Sequence, residues 1–238
     1  MRTWVKWLIG GLAVVVVAAV AIPWAYINFV KEDAAPRFQL SDEPVTTTTA
    51  AGGTSDTTGS KSGSTSELAG TWTVASGSEV GYRVSEVLFG QDTDATGRTS
   101  DVTGSIKLTD TTLTAGEFTA DLTTVKSDED RRDNQFQGNI MNTAEFPNAT
   151  FKLTEPVEFG TPADGEKITV SATGELTMHG VTNTVTFDIE ARKTGSVIEV
   201  TGSIPILFSD YDIANPSRAG ITVKDNGEME FLLTFNPA

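Results

Sequence analysis

Cysteine is absent from the 238 residues, and histidine occurs once, as His179. With no thiol, the chain has no disulfide framework, thiol nucleophile or cysteine-metal site, although this leaves its compartment open. A Ser-His-Asp triad would have to be built around His179, which stands in the tight Met178-His179-Gly180-Val181 sequence, and no G-x-S-x-G elbow is present. The D-x-D-x-D-G spacing of a calcium loop is also missing. Positive charge is sparse: 17 Lys and Arg against 32 Asp and Glu leave a net charge of -15. No basic stripe is available for phosphate groups, so nucleic acid is not an expected partner. These absences predict no catalytic residue, no metal site and no cofactor.

The apolar residues are unevenly spread. Trp7 to Val30 is an apolar run interrupted only by small residues, Pro23, Tyr26 and Asn28. At ~1.5 Å per residue it spans ~36 Å, enough for a hydrocarbon core of ~30 Å with some tilt. Arg2 and Lys6 precede it, so the positive-inside bias leaves the N-terminus in the cytoplasm and the rest outside. Residues 1–30 thus read as a single-pass signal anchor in a cell membrane. Ala19, Val20 and Ala21 also form an A-x-A cleavage site, so a cleaved signal peptide is the competing reading; against it, apolar character continues to Val30. Residues 31–69 turn to Thr, Ser, Gly and Ala, with too little apolar surface to offset ordering entropy, and read as a disordered tether reaching ~35 Å.

Residues 70–238 form the folded domain. They carry 12 basic and 26 acidic side chains, a net of -14, so the acidity belongs to this domain and serves solubility. Apolar residues alternate with polar ones through most of it: Val80, Tyr82, Val84; Val102, Gly104, Ile106, Leu108; Phe118, Ala120, Leu122; Val170, Ala172, Gly174, Leu176, Met178. The same holds for Val185, Phe187, Ile189; for Ile198, Val200, Gly202, Ile204, Ile206; and for Phe231, Leu233, Phe235. A period of two is that of half-buried antiparallel strands, and seven or eight of them predict a closed barrel or a sandwich. The exception is Ser127 to Ile140, the one predicted helix, where Ser127 and Asp130 make a capping box and Asp128 pairs with Arg132. Asp128, Glu129, Asp130 and Asp133 read as its solvated face. The inward glycines Gly104, Gly174 and Gly202 either leave volume for a ligand or mark bends that close the barrel.

Three motifs carry a resemblance. Arg132 and Asp133 open the helical connection; Phe146 and Pro147 with Phe151 make an F-P-x-x-x-F strand entry; Gly174, Leu176, Thr177, His179, Gly180, Val181 and Thr182 make G-x-L-T-x-H-G-V-T. A further stretch from Ser209 contains Tyr211, Ile213 and Pro216 as Y-x-I-x-x-P. In this order and spacing, from about Trp72 to Phe235, the chain resembles the YceI-like, polyisoprenoid-binding family of bacterial envelope proteins. It departs from the family pattern at Gln135 and Phe136, where histidine and leucine are usual, so no role of that histidine carries over.

The resemblance implies an all-β, antiparallel, eight-stranded lipocalin-like barrel with one short helix, carrying an isoprenoid, a quinone or another long amphiphile in an apolar tunnel. The residues expected to line that tunnel are Tyr82, Val84, Ile106, Phe118, Leu122, Phe136, Phe146, Phe151, Val170, Gly174, Leu176, Met178, His179, Phe187, Ile204 and Phe231. His179 is expected to tie down the turn at Gly180, or to offer a polar contact at the tunnel mouth. The implied function is a membrane-tethered lipid carrier outside the cytoplasm. The alternative is an envelope structural or protein-interaction module with a filled barrel.

Overall fold

The computed structural model describes residue 21, residues 34–40 and residues 68–238. The expected membrane anchor and most of the tether therefore lie outside the described residues, among which no helix is long and apolar enough to cross a membrane. The strands are β1 (Gly70–Val74), β2 (Glu79–Leu88), β3 (Gln91–Thr99), β4 (Val102–Leu108), β5 (Thr112–Asp121), β6 (Lys126–Ser127) and β7 (Asn148–Leu153). They continue as β8 (Val157–Glu158), β9 (Lys167–Met178), β10 (Val181–Thr194), β11 (Val197–Leu207), β12 (Ile221–Val223) and β13 (Asn226–Pro237). The helix α1 (Asp130–Gln135) runs into a wider turn over Phe136–Ile140.

Eight strands, in the order β1-β4-β5-β7-β9-β10-β11-β13, form an antiparallel ring that closes where Trp72 of β1 faces Pro237 of β13. This is the expected eight-stranded barrel. Its closure is complete at one end only, because β13 shares its free edge between two partners. Phe235 of β13 pairs with Val74 of β1, whereas Glu228 to Leu232 of β13 pair with β2. At the second end the hairpin β2–β3 takes the place of β1, and β3 meets only the two-residue β6, Gly97 opposite Ser127 and Arg98 opposite Lys126. The helix α1 follows β6 directly and covers this short seam.

The interior is held by rings laid on glycines. Phe118 faces Gly104 across β4–β5, Phe231 faces Gly202 across β11–β13, and Tyr82 faces Gly97 across β2–β3. A Cβ on Gly104 would stand 2.7 Å from Phe118 Cδ1, and one on Gly202 would stand 2.6 Å from Phe231 Cζ. Gly174 is covered in the same way by Phe151. The inward glycines thus leave no volume for a ligand, the first of the two sequence readings: each missing side chain is replaced by an aromatic ring from the neighbouring strand. Three of these rings join through Phe187 across the barrel, with centroid separations of 6.4 Å for Phe118–Phe151, 5.4 Å for Phe151–Phe187 and 5.9 Å for Phe187–Phe231. Such pairs contribute about 0.5–1.5 kcal/mol each beyond the area they bury.

The outer wall beside β2 carries a buried ion pair. Arg83 Nε donates to Glu230 Oε1 at 2.6 Å and Nη2 donates to Glu230 Oε2 at 3.2 Å, both side chains being less than a tenth exposed. They are covered by residues 34–40, which the sequence places in a disordered tether. Their docking has a chemical cause. The Ala35 carbonyl accepts from Arg83, the Ala35 amide donates to Thr96 Oγ1 at 3.2 Å, and the Pro36 carbonyl accepts from Arg98. Arg37 bonds Glu228 and Glu230, Arg98 stacks 3.8 Å above the Phe38 ring, and Leu40 is buried. Short apolar residues and one arginine thus satisfy wall charges that would otherwise face water.

Two outcomes follow from this packing. Gly174→Ala places a methyl against the Phe151 ring and within 2.5 Å of the Lys152 carbonyl oxygen, so urea denaturation is expected to show a loss of about 1–3 kcal/mol. Arg37→Ala tests the wall segment. The hydrogen bond from Arg37 holds the Glu228 carboxyl below its ordinary range, so the stabilisation is present above about pH 4.3 and is lost as pH falls through the folded-state value. Because Arg37 is half exposed, the variant is expected to lose under about 1 kcal/mol at neutral pH, and its deficit against the parent should vanish in acid.

Candidate lipid-binding cavity

Above the phenylalanine layer the barrel encloses a cavity of about 520 Å³. Its walls come from inward positions of the upper strands: Val80, Tyr82 and Val84 of β2, Ala120 of β5, Ala149 of β7, Leu176 and Met178 of β9, and Met229 of β13. Alternation on each strand puts these apolar side chains inside and their polar neighbours outside. Leu122, Val125, Phe136 and Met141 close one side, and Phe208, Ile213 and Val223 close the other. Phe151 makes the floor. A second cavity, of about 140 Å³, lies at the opposite end of the barrel and shares no lining residue with the first.

Of the residues expected to line a single tunnel, Tyr82, Val84, Leu122, Phe136, Phe151, Leu176 and Met178 do meet around the upper cavity. Ile106 and Val170 line the lower one. Phe118, Gly174, Phe187 and Phe231 belong to the layer between them, and Ile204 is packed in the core. The expectation of one continuous tunnel fails because the rings on the inward glycines cross it. Sequence reasoning misses Phe208, Ile213, Val223 and Met141, which come from connections or a short strand with no sustained alternation; only the Y-x-I-x-x-P resemblance points towards Ile213.

The mouth is built by the arginine-aspartate motif. Asp133 is buried and accepts from the Ser127 amide at 2.8 Å and the Ser127 hydroxyl at 2.7 Å, with Lys126 Nζ at 3.3 Å. It is not on a solvated face, and the expected capping box does not form, since Ser127 is taken by Asp133 and Glu129 caps α1 without a side-chain bond. Arg132 pairs with Asp128 as expected, and reaches Glu86 of β2 at 3.8 Å. One residue pins α1 to β6, the next pins it to β2, and together they bridge the seam that strand pairing leaves short. Phe136 stacks on Tyr82 with centroids 5.0 Å apart, and burial pushes the Tyr82 phenol well above its ordinary pKa, so it stays neutral. Arg131, Arg218 and the exposed Phe89 complete the rim.

Phe146 and His179, both expected in the tunnel, are instead outside it. Met178 pairs with Val181, and His179 and Gly180 have φ of 50° and 78°, the two-residue hairpin with both central residues left-handed. His179 Nδ1 lies 2.9 Å from the Tyr211 carbonyl oxygen, and its ring meets Phe146 edge-on at 5.1 Å. The histidine therefore ties the turn to the segment that walls the cavity, and offers no contact at the mouth. Among the described residues no cluster of His, Cys, Asp or Glu is arranged to hold a metal ion.

An antiparallel barrel with an apolar internal cavity open at one end defines a small-ligand-binding class of fold. The chain belongs to the YceI-like family, whose domain model matches residues 72–235. Its fold is similar to that of a polyisoprenoid binding domain from Saccharophagus degradans implicated in plant cell wall breakdown, at 18% identity and a TM-score of 0.58 over 70% of this chain and 98% of that one. A Campylobacter jejuni YceI protein with a monobromobimane guest is similar at 21% identity and a TM-score of 0.50, over 60% and 84% of the two chains. None of the curated proteins matches the chain.

The hairpin gives a test of its own. Gly180→Val needs a β-branched residue at positive φ and against the Phe146 ring, 2.7 Å from Cε1. It is expected to lower the melting temperature more than His179→Gln, whose amide can still donate to Tyr211; about 1–3 kcal/mol separates strain of this kind from none.

Proposed function

We propose that the barrel binds one long amphiphile, such as an isoprenoid lipid or a quinone, with its tail in the 520 Å³ cavity and its head at the mouth. The observation that carries this reading is the cavity wall, which is apolar from its Phe151 floor upward and ends beside α1 in a charged mouth of Glu86, Arg131, Arg132 and Arg218. Its volume lies within the roughly 300–1,000 Å³ of small-molecule sites. At ~30 Å³ for a group the size of a water molecule the cavity holds about 17 methylenes, and burying them at ~0.8 kcal/mol each yields about 14 kcal/mol gross, against an association cost of ~4–15 kcal/mol. The favourable part of that range reaches micromolar affinity without any ion pair. A polyisoprenoid is also the ligand class named for the Saccharophagus degradans domain.

In this reading residues 1–30 anchor the chain in a bacterial cell membrane, with the barrel outside the cytoplasm and near the bilayer that supplies its ligand. The protein carries or sequesters and breaks no bond. A filled interaction module would suit the lower half of the barrel but leaves the upper cavity without a purpose.

The part of the chain from residue 31 onward, which lacks the proposed anchor and keeps residues 34–40 on the barrel wall, should release an amphiphile on organic extraction when purified from its host without detergent, detected by mass spectrometry. Ala120→Phe, which fills the cavity from β5, should reduce loading about tenfold or more while leaving the domain folded, since vacant volume accepts a ring that a packed core would not. A parent protein that carries nothing, and binds neither an isoprenoid alcohol nor a quinone, would leave the filled module.

A further inference from the structure

We propose that the phenylalanine layer is a length stop, so that the ligand is a single-chain amphiphile placing no more than about 17 carbons inside the barrel, if a methylene-sized group takes the ~30 Å³ that a water molecule takes in the liquid. This rests on the reading of the upper cavity as the ligand site, and adds what that ligand must be. A chain of about three five-carbon isoprene units fits on this count, whereas a longer one must project from the mouth.

On β9, Leu176 lines the upper cavity and Val170 the lower, and between them Gly174 carries the Phe151 ring. On β10, Phe187 stands one inward position from Ile189 of the lower cavity, and it touches Phe151 on one side and Phe231 on the other. Centroid separations of 5.4–6.4 Å along Phe118, Phe151, Phe187 and Phe231 are contact distances for aromatic rings, so no aliphatic chain passes between neighbours. Nor do the outer rings swing aside freely. Phe118, Phe151 and Phe231 each lie against a glycine backbone at a distance that a Cβ there would not allow. Phe187 has no glycine beneath it, touches both Phe151 and Phe231, and lines neither the 520 Å³ nor the 140 Å³ space, which puts it in the partition between them.

The test is a competition series of straight-chain carboxylic acids of about 8 to 24 carbons against a bound fluorescent fatty acid, using the whole protein. Affinity is expected to tighten about fourfold per added methylene up to about 17 carbons and then level off. Phe187→Leu should move the plateau to chains about two to five carbons longer, the upper figure being the lower cavity's capacity; Phe187→Ala should move it at least as far if it folds. Affinity that keeps rising to about 24 carbons in the parent, or an unmoved plateau in folded Phe187→Leu, overturns the length stop while leaving the ligand site intact. Failure to bind at every length overturns both.

Discussion

The structure turns on a steric exchange between strands: where one strand gives up its side chain, the next lays an aromatic ring on the bare backbone. A phenylalanine cannot lie flat on a neighbouring strand that carries a Cβ, and a glycine in a strand is costly unless something covers it. Pairing Phe118 with Gly104, Phe151 with Gly174 and Phe231 with Gly202 satisfies both conditions at one level of the barrel. The consequences reach in two directions. Outward, the rings bring the strands close and support the curvature that closure requires. Inward, they meet around Phe187 and make a floor, so the same contact that stabilises the barrel also divides its interior.

Closure is the second constraint, and backbone pairing solves it for only half of the barrel. The edge of β13 is complete where it pairs with β1, but β3 ends in the two-residue β6. Side chains finish the work there. Asp133 collects two hydrogen bonds from Ser127, and Arg132 spans Asp128 and Glu86. A buried carboxylate is tolerable because hydrogen bonds and a nearby lysine replace the water it gives up. The cavity opens beside this seam. A side-chain bridge can loosen without breaking a ladder of backbone hydrogen bonds, which makes this end the cheaper one through which to admit a ligand.

On the outer wall, the acidic surface is met by the chain itself. Glu230 is buried against Arg83, and residues 34–40 bring Arg37, two backbone carbonyls and an aromatic ring to the remaining charges. Removing one member of a buried pair typically costs about 3–5 kcal/mol, so the cover over this pair matters to the domain even though Arg37 itself is half exposed. The stretch is polar enough to read as tether and is placed only because its partners, on β2, β3 and β13, lie far away in sequence.

By itself the sequence determined the strand periodicity, the position of the one helix and the family, whose resemblance implied the eight-stranded barrel that periodicity alone left open against a sandwich, because alternation and short motifs are local and survive without knowledge of partners. It also placed Tyr82, Leu122, Phe136, Leu176 and Met178 inward, where the cavity is. Only the tertiary structure decided what the inward glycines do, since a missing Cβ reads the same whether the space is left empty or taken by a ring from the next strand. The same reason separates His179 and Phe146 from the cavity: alternation sets the face of a strand but not what crosses a turn, and both are claimed by each other and by Tyr211. Long-range partners likewise moved Asp133 from the surface to the seam and residues 34–40 from tether to wall. Periodicity is written in neighbouring residues, whereas occupancy of a cavity, satisfaction of a buried charge and docking of a segment depend on residues that only the closed barrel brings together.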